Sequence, residues 1–201
     1  MGRNSANGML RLSSDPVKAI KDADFVFENM PVKVVANRNS PKIDLPGIKV
    51  GPFMEGKEYE VRLWIATELK KAGIARIRME EPLTLMMLNK IHWKERVQAS
   101  QKVTSLPENF YPKLRRFLQD LNEEAIKKPE KRCDFDKAIN LSKDIIRMRL
   151  KKIISLASSG DKTSEIRHGL TKEEDGVYTN LHKIISEWHE EILKNQGEDR
   201  T

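Results

Sequence analysis

The chain has 201 residues, 38% of them hydrophobic and 33% charged, with a formal net charge of +7. That length and apolar fraction suit one compact domain, or a small domain beside a larger one. They exclude collagen-like and low-complexity chains, because neither Gly (10) nor Pro (9) is abundant or periodic. The positive charge is spread out. Residues 1–57 carry 9 Lys+Arg against 6 Asp+Glu, and residues 58–201 carry 28 against 24, so no segment reads as a dedicated DNA-binding arm. The one cysteine, Cys133, rules out an internal disulfide or a multi-cysteine zinc site and makes the cytosol the default compartment. It reads as an inert thiol near a helix start. Nothing resembles a secretory leader, and no apolar run approaches the roughly 18 residues that span a bilayer.

Residues 1–14 are small and polar and are expected to be a flexible end, with Met9 a second candidate start. Asp15-Pro16 predicts a helix start, with Asp as N-cap and Pro at the first helical position, and a short turn through Val17, Ala19 and Ile20. Phe25-Val26-Phe27, Val32 to Val35 and Ile48-Lys49-Val50 are rich in β-branched or aromatic residues and lie between turn signals such as Pro46-Gly47 and Gly51-Pro52. They predict short strands in a small β-rich domain over 15–57. From Glu58 the period becomes helical, with Val61, Trp64, Ile65, Leu69 and Ala72 on one face and Gly73 as the stop. Ile74 to Arg78 reads as a link. Glu80-Glu81-Pro82 predicts a second helix that continues towards Gln101, and Leu106-Pro107-Glu108 a third with Tyr111, Leu114, Phe117, Leu118 and Leu121 buried. A fourth, long helix runs from about Asp134 with Phe135, Ile139, Ile146 and Ile153 in its stripe. After a 158–164 loop, the capping box at Thr171 opens the last helix, which carries Val177, Leu181, Ile184, Ile185, Trp188 and Ile192. The expected fold is therefore mostly α: a small N-terminal β-rich domain, then a five-helix, bundle-like domain over 58–196, with a tail at 197–201.

Chemistry-bearing motifs are missing. The sequence has no phosphate-cradling Gly-rich loop, no strand-associated dinucleotide fingerprint, no His-Glu-x-x-His and no Gly-x-Ser-x-Gly. His182 and His189 share a helix face, but two surface histidines beside an apolar stripe are the ordinary reading. Glu123-Glu124, Glu173-Glu174 and Glu190-Glu191 read as solvated charge or dipole partners rather than an acid/base pair. No cofactor, metal or catalytic residue is predicted, and the chain does not read as an enzyme. Two basic groups stand out: Lys127, Lys128, Lys131 and Arg132 around a helix–helix turn, and Arg147, Arg149, Lys151 and Lys152 in the long helix, where Arg147 and Lys151 share a face. They read as solvated or ion-paired faces, with a weak contact to DNA or a partner through Lys127, Lys128, Lys131, Arg132, Arg147 and Lys151 as the other reading. Aromatic interleaving for single-strand stacking is missing there. Met79, Met86 and Met87 read as core filling or as an adaptable partner surface.

One stretch is distinctive: Gly51-Pro52-Phe53-x-x-Gly56, then Val61-x-Leu63-Trp64-x-Ala66-x-x-Leu69-Lys70, a turn entering an amphipathic helix with a buried Trp. Asn89-Lys90-Ile91 and Lys94-Glu95-Arg96 follow, then Leu106-Pro107-x-x-Phe110-Tyr111. In order, spacing and length, residues 25–195 resemble subunits of the archaeal GINS complex, of the class with its β domain first. Two features depart from that pattern: about 25 residues precede the β segment, and the 158–171 loop is long and polar. The last helix, opened by Leu170-Thr171-x-Glu173-Glu174, also resembles the class with reversed domain order. The resemblance implies a non-catalytic, cytoplasmic and nucleoid-associated subunit of a four-chain assembly. It implies that the assembly pairs with a reversed-order GINS subunit, bridges the MCM helicase ring and a RecJ-like protein, and interacts with primase or polymerase components, touching DNA weakly or indirectly. The long helices carry more apolar face than one small domain needs, which predicts helix–helix burial between chains. Trp64, Tyr111, Phe135, Ile139, Ile146 and Ile153 are the interface candidates, and the β domain is expected to be a mobile contact module tethered at 51–57. The alternative reading is a basic helical nucleic-acid-binding protein.

Overall fold

The computed structural model describes residues 15–45, 47–78, 82–97, 103–159 and 169–194. The expected flexible end at 1–14, the tail at 197–201, Glu80-Glu81, the continuation to Gln101 and most of the 158–164 loop lie outside the described residues. The chain is mostly helical, with a small sheet ahead of the helical part, as its sequence predicts. Helix α1 (Pro16–Glu28) is followed by strands β1 (Pro31–Ala36), β2 (Ile43–Leu45), β3 (Ile48–Val50) and β4 (Glu58–Arg62), then α2 (Leu63–Lys71) and β5 (Ala75–Arg78). Four further α-helices complete the described residues: α3 (Leu85–Val97), α4 (Phe110–Lys127), α5 (Arg132–Ser159) and α6 (Lys172–Leu193).

β1 is the centre of an antiparallel sheet ordered β4-β1-β5, with Val34 opposite Tyr59 on one side and Ile77 on the other. β2 and β3 form a separate hairpin. One core fills this part of the molecule: Val34, Ala36, Val50, Phe53, Ile65, Ala66, Leu69 and Ala75, with Trp64 packed at its margin. The Gly51-Pro52-Phe53 motif contributes Phe53, which is buried and meets Tyr59 edge-on at 5.0 Å. The Tyr59 hydroxyl accepts from the Met54 amide at 2.7 Å. α2 ends in a Schellman motif. Gly73 takes φ +68, its N–H reaches the Lys70 carbonyl at 3.0 Å, and the Ile74 N–H reaches Leu69 at 2.9 Å.

Several local expectations are corrected. Glu58–Arg62 is a strand, not the start of a helix. Tyr59 and Val61 alternate with Glu58, Glu60 and Arg62, and Val61 fits the strand period as well as the helical one. Ala75–Arg78 is likewise a strand rather than a link. The sheet unit therefore runs on to Arg78, well past the boundary expected at 57, and α2 belongs to it. Phe25-Val26-Phe27 is helical: the Asp15 carboxylate caps the Val17 N–H at 2.9 Å, Pro16 starts α1, and the helix runs through to bury Phe27. α3 starts after Thr84, whose hydroxyl accepts from the Met87 N–H at 3.2 Å, so Pro82 lies ahead of the helix. α4 starts only at Phe110, because Asn109 sits in the left-handed region at φ 54.

The helical part has two cores. Leu83, Leu88, Ile91, Phe110, Leu114, Ala138 and Ile145 join α3, α4 and α5. Ile153, Leu156, Ala157 and Tyr178 join α5 to α6. α1 leaves the sheet unit to pack on α6, where a Cβ at Gly176 would lie 3.6 Å from that of Ala19.

Candidate functional site

Two features dominate the helical part: a buried polar junction that fixes α6, and the apolar surface that α6 then presents. The junction centres on Arg149, only 1% exposed. Its guanidinium donates to Glu174 at 2.7 and 2.5 Å, to Glu95 at 2.9 Å, to the Thr104 carbonyl at 2.5 Å and to the Gly169 carbonyl at 3.0 Å. Lys152 adds a bond to Glu95 at 2.7 Å, the Thr104 hydroxyl donates to the same carboxylate, and the Tyr111 hydroxyl donates to Glu174 at 2.6 Å. Glu174 also completes the α6 capping box with the Thr171 N–H at 2.9 Å. Two carboxylates thus face two cations, and no buried side-chain nitrogen or oxygen lacks a partner among the described residues. Burial alone pushes the Glu95 pKa up, but the bonds from Lys152 and Thr104 and the Arg149 charge more than offset it, leaving the carboxyl below its ordinary range. Burial opposes the Arg149 charge, yet Glu174 and Glu95 hold its pKa above the usual value. Burial and the Glu174 charge push Tyr111 up, so the phenol stays a donor.

The arrangement is a clamp and offers no chemistry. Its charges are mutually neutralised, and although Glu95 and Thr104 also line a 360 Å³ cavity beside α3, the Glu95 carboxylate is held there by Arg149, Lys152 and Thr104. Its effect is to set the register of α6. Arg149 meets Glu174, and His182 Nδ1 lies 3.3 Å from the Ala157 carbonyl, both pairs 25 residues apart, so α5 and α6 run parallel. At that offset Ser159, the last residue of α5, is level with Ile184 of α6. The remainder of α6 passes beyond α5 as roughly 15 Å of helix. The core-facing stripe continues along this overhang, uncovered among the described residues: Ile184, Trp188 and Ile192 are 62%, 60% and 60% exposed. On α5, Ile146, Leu150 and Ile154 form a second exposed ridge at four-residue spacing. Large apolar side chains lined up in this way mark a protein-facing surface rather than a solvent face.

The family pattern described as the GINS complex protein helical bundle domain matches residues 83–193, and that described as the PSF2 N-terminal domain matches residues 19–78. The chain belongs to the GINS family. It is similar to the human DNA replication complex GINS protein PSF2, 29% identical over 138 residues that cover 69% of this chain and 70% of the relative. It is also similar to the Xenopus laevis protein of the same description, 31% identical over 144 residues that cover 72% and 74%. The two matched segments of this GINS subunit coincide with structural units. The first ends on the last residue of β5, and the second runs from Leu83 to the end of α6.

The residues singled out from the sequence fall in different places. Ile146 stands on the exposed ridge, and Phe135 and Ile139 are half-buried near the start of α5. Ile153 is 3% exposed and packs beside Tyr178 in the chain's own core, so it presents no face to a partner. Tyr111 is engaged by Glu174. Trp64 lies at the sheet core and lines a 730 Å³ cleft between α1, α2 and α4, which also holds Lys127 and the Arg115–Asp24 ion pair. Lys131 and Arg132 pair with Asp134 and Asp136 at 3.5 and 3.4 Å, Arg147 lies 3.8 Å from Asp144, and Lys128 and Lys151 are exposed. These six do not form one patch. Cys133 is exposed in the first turn of α5. Sequence reasoning missed the junction: Arg149 and Glu174 each looked like members of solvated charge runs. One available signal was the position of Arg149 on the apolar stripe of α5, between Ile145 and Ile153.

Proposed function

We propose that this non-catalytic GINS subunit acts as a scaffold in DNA replication. Its helical part is built into an assembly with a GINS subunit of reversed domain order, and that assembly links an MCM-type helicase ring to a RecJ-like protein. The observation that carries the reading is the exposed stripe of α6, where Ile184 stands level with the end of α5 and Trp188 and Ile192 extend past it, on a helix whose register a buried clamp fixes. An exposed apolar stripe held rigidly on a helix loses little conformational entropy on docking. The half-buried candidates Phe135 and Ile139, together with Ile146, extend the same role along α5.

The test is mass in solution, by light scattering, of the chain alone and co-expressed with the reversed-order subunit of the same organism. A stable complex near the mass of four chains supports the scaffold. W188E with I192E should then prevent that complex while leaving the helical circular dichroism of the chain unchanged. A monomer that ignores the other subunit and binds DNA with a steep salt slope would refute the proposal in favour of direct nucleic-acid binding.

A further inference from the structure

α3 presents a face that neither the clamp nor the α6 overhang uses. Its inner side buries Leu88, Ile91 and Glu95. Met86, Lys90, Trp93, Lys94 and Val97 fall at spacings of three and four residues and form one outward stripe. Met86, Trp93 and Val97 are 82%, 63% and 56% exposed. Lys90, Lys94 and Arg96 are exposed, and no hydrogen bond or ion pair holds them among the described residues. The only acid on the helix, Glu95, is turned inward and consumed by Arg149 and Lys152, so nothing on α3 offsets these three cations. On the far side of the lysine pair lies a 360 Å³ cavity whose apolar wall is Met87, Ile91, Leu106 and Pro107 and whose polar wall is Lys90, Lys94, Ser105 and the clamp members Glu95 and Thr104, the Glu95 charge being already met by Arg149 and Lys152.

We propose that this face of α3 docks an acidic, apolar-anchored peptide segment of a partner protein. The lysine pair lies between two apolar features, the Met86–Trp93–Val97 strip on one flank and the cavity on the other. A partner segment with apolar side chains flanked by Asp or Glu satisfies all three at once: anchors on the strip and in the cavity, carboxylates on Lys90 and Lys94. Trp is among the residues that most often dominate such contacts, and Met adapts to imperfect shapes. A nucleic-acid strand would use the lysines and one aromatic face. It would leave Met86, Val97 and the apolar cavity wall without partners, and a single tryptophan is a poor stacking platform.

The experiment titrates the full chain, by fluorescence anisotropy, with three labelled probes: a synthetic peptide of Leu and Phe interspersed with Glu and Asp, the same peptide with Lys for every acid, and oligo-dT. Circular dichroism checks the fold of each variant. The acidic peptide should bind and the lysine version should not. K90E/K94E should weaken the acidic peptide about tenfold or more and permit the lysine version to bind, as charge complementarity requires. W93A should weaken the acidic peptide by about tenfold, as loss of a central anchor does. The proposal is overturned if the acidic peptide does not bind, or if neither variant changes its binding. It is equally overturned if oligo-dT binds in its place and depends on Trp93. Repeating the titration on the assembled GINS complex separates this site from the assembly surface. Binding retained there supports a free docking face, and binding lost there assigns α3 to contacts between subunits and overturns the proposal.

Discussion

Replacing Arg149 by Met is the sharpest perturbation of the helical part. The Met stem fits the apolar surroundings, but five donated hydrogen bonds disappear. Glu95 keeps Lys152 at 2.7 Å, and Glu174 keeps the Tyr111 hydroxyl at 2.6 Å and the Thr171 N–H at 2.9 Å. Both carboxylates remain buried with one cation, Lys152, in place of two, Glu95 also keeping the Thr104 hydroxyl, and the Thr104 and Gly169 carbonyls lose a partner. Removing one member of a buried charge pair costs about 3–5 kcal/mol. For a chain of this size that corresponds to a fall in melting temperature of about 6–20 °C. Urea and thermal unfolding, followed by circular dichroism at 222 nm and pH 7 (about the ordinary far-ultraviolet helix signal and neutral conditions), measure the loss. The triple variant R149M/E95Q/E174Q should recover part of it, because the uncompensated charges are gone. A loss below about 1 kcal/mol for R149M alone, the level of an exposed ion pair, would refute the argument that the junction is desolvated and α6 anchored by it.

Tyr111→Phe removes a bond to a buried carboxylate and should cost about 1.5–3 kcal/mol in the same unfolding assay, with the sheet unit unaffected. Because folding lowers the Glu95 pKa, the unfolded chain binds more protons in the acid range. The Glu95 contribution is therefore fully present above the ordinary carboxylate pKa and lost as the pH falls through the folded value. Urea midpoints measured from about pH 6 to pH 3 should show this acid limb, and Glu95→Gln should flatten it. At Gly169 an added Cβ would sit 2.1 Å from the Val103 carbonyl oxygen, and this backbone has no flexible end to give way. Gly169→Ala should displace the chain that bonds Arg149 and lower stability by about 1–3 kcal/mol, whereas Gly56→Ala, in open space though strained at φ +77, should leave the helical melt unchanged.

Local signals in the sequence were sufficient where one short-range interaction decides the outcome. Asp15-Pro16, Gly73 and the Thr171 capping box each fix an element end through atoms a few residues apart, and all three are found as read. The Gly51-Pro52-Phe53 turn and the spacing of the helices were enough for the family resemblance. The sequence failed where two periods fit one segment. Glu58–Arg62 carries a strand alternation while its Val61 also continues the helical stripe of Trp64 and Ile65, Ala75–Arg78 is too short for its alternation to stand out from a link, and only pairing with β1 from each side selects the strand. Whether an apolar residue of a long stripe is core or surface is also decided only in three dimensions. Ile153 is buried because α6 lies against it, and Trp188 is exposed because α5 has already ended. The same holds for charge: Arg149 and Arg147 look alike in sequence, but the fold brings Glu95 from 54 residues away and Glu174 from 25 to one of them only. Sequence determines periods and caps through neighbours along the chain. Which stripe is covered and which charge is paired depends on contacts between distant segments, and these exist only once the helices have packed.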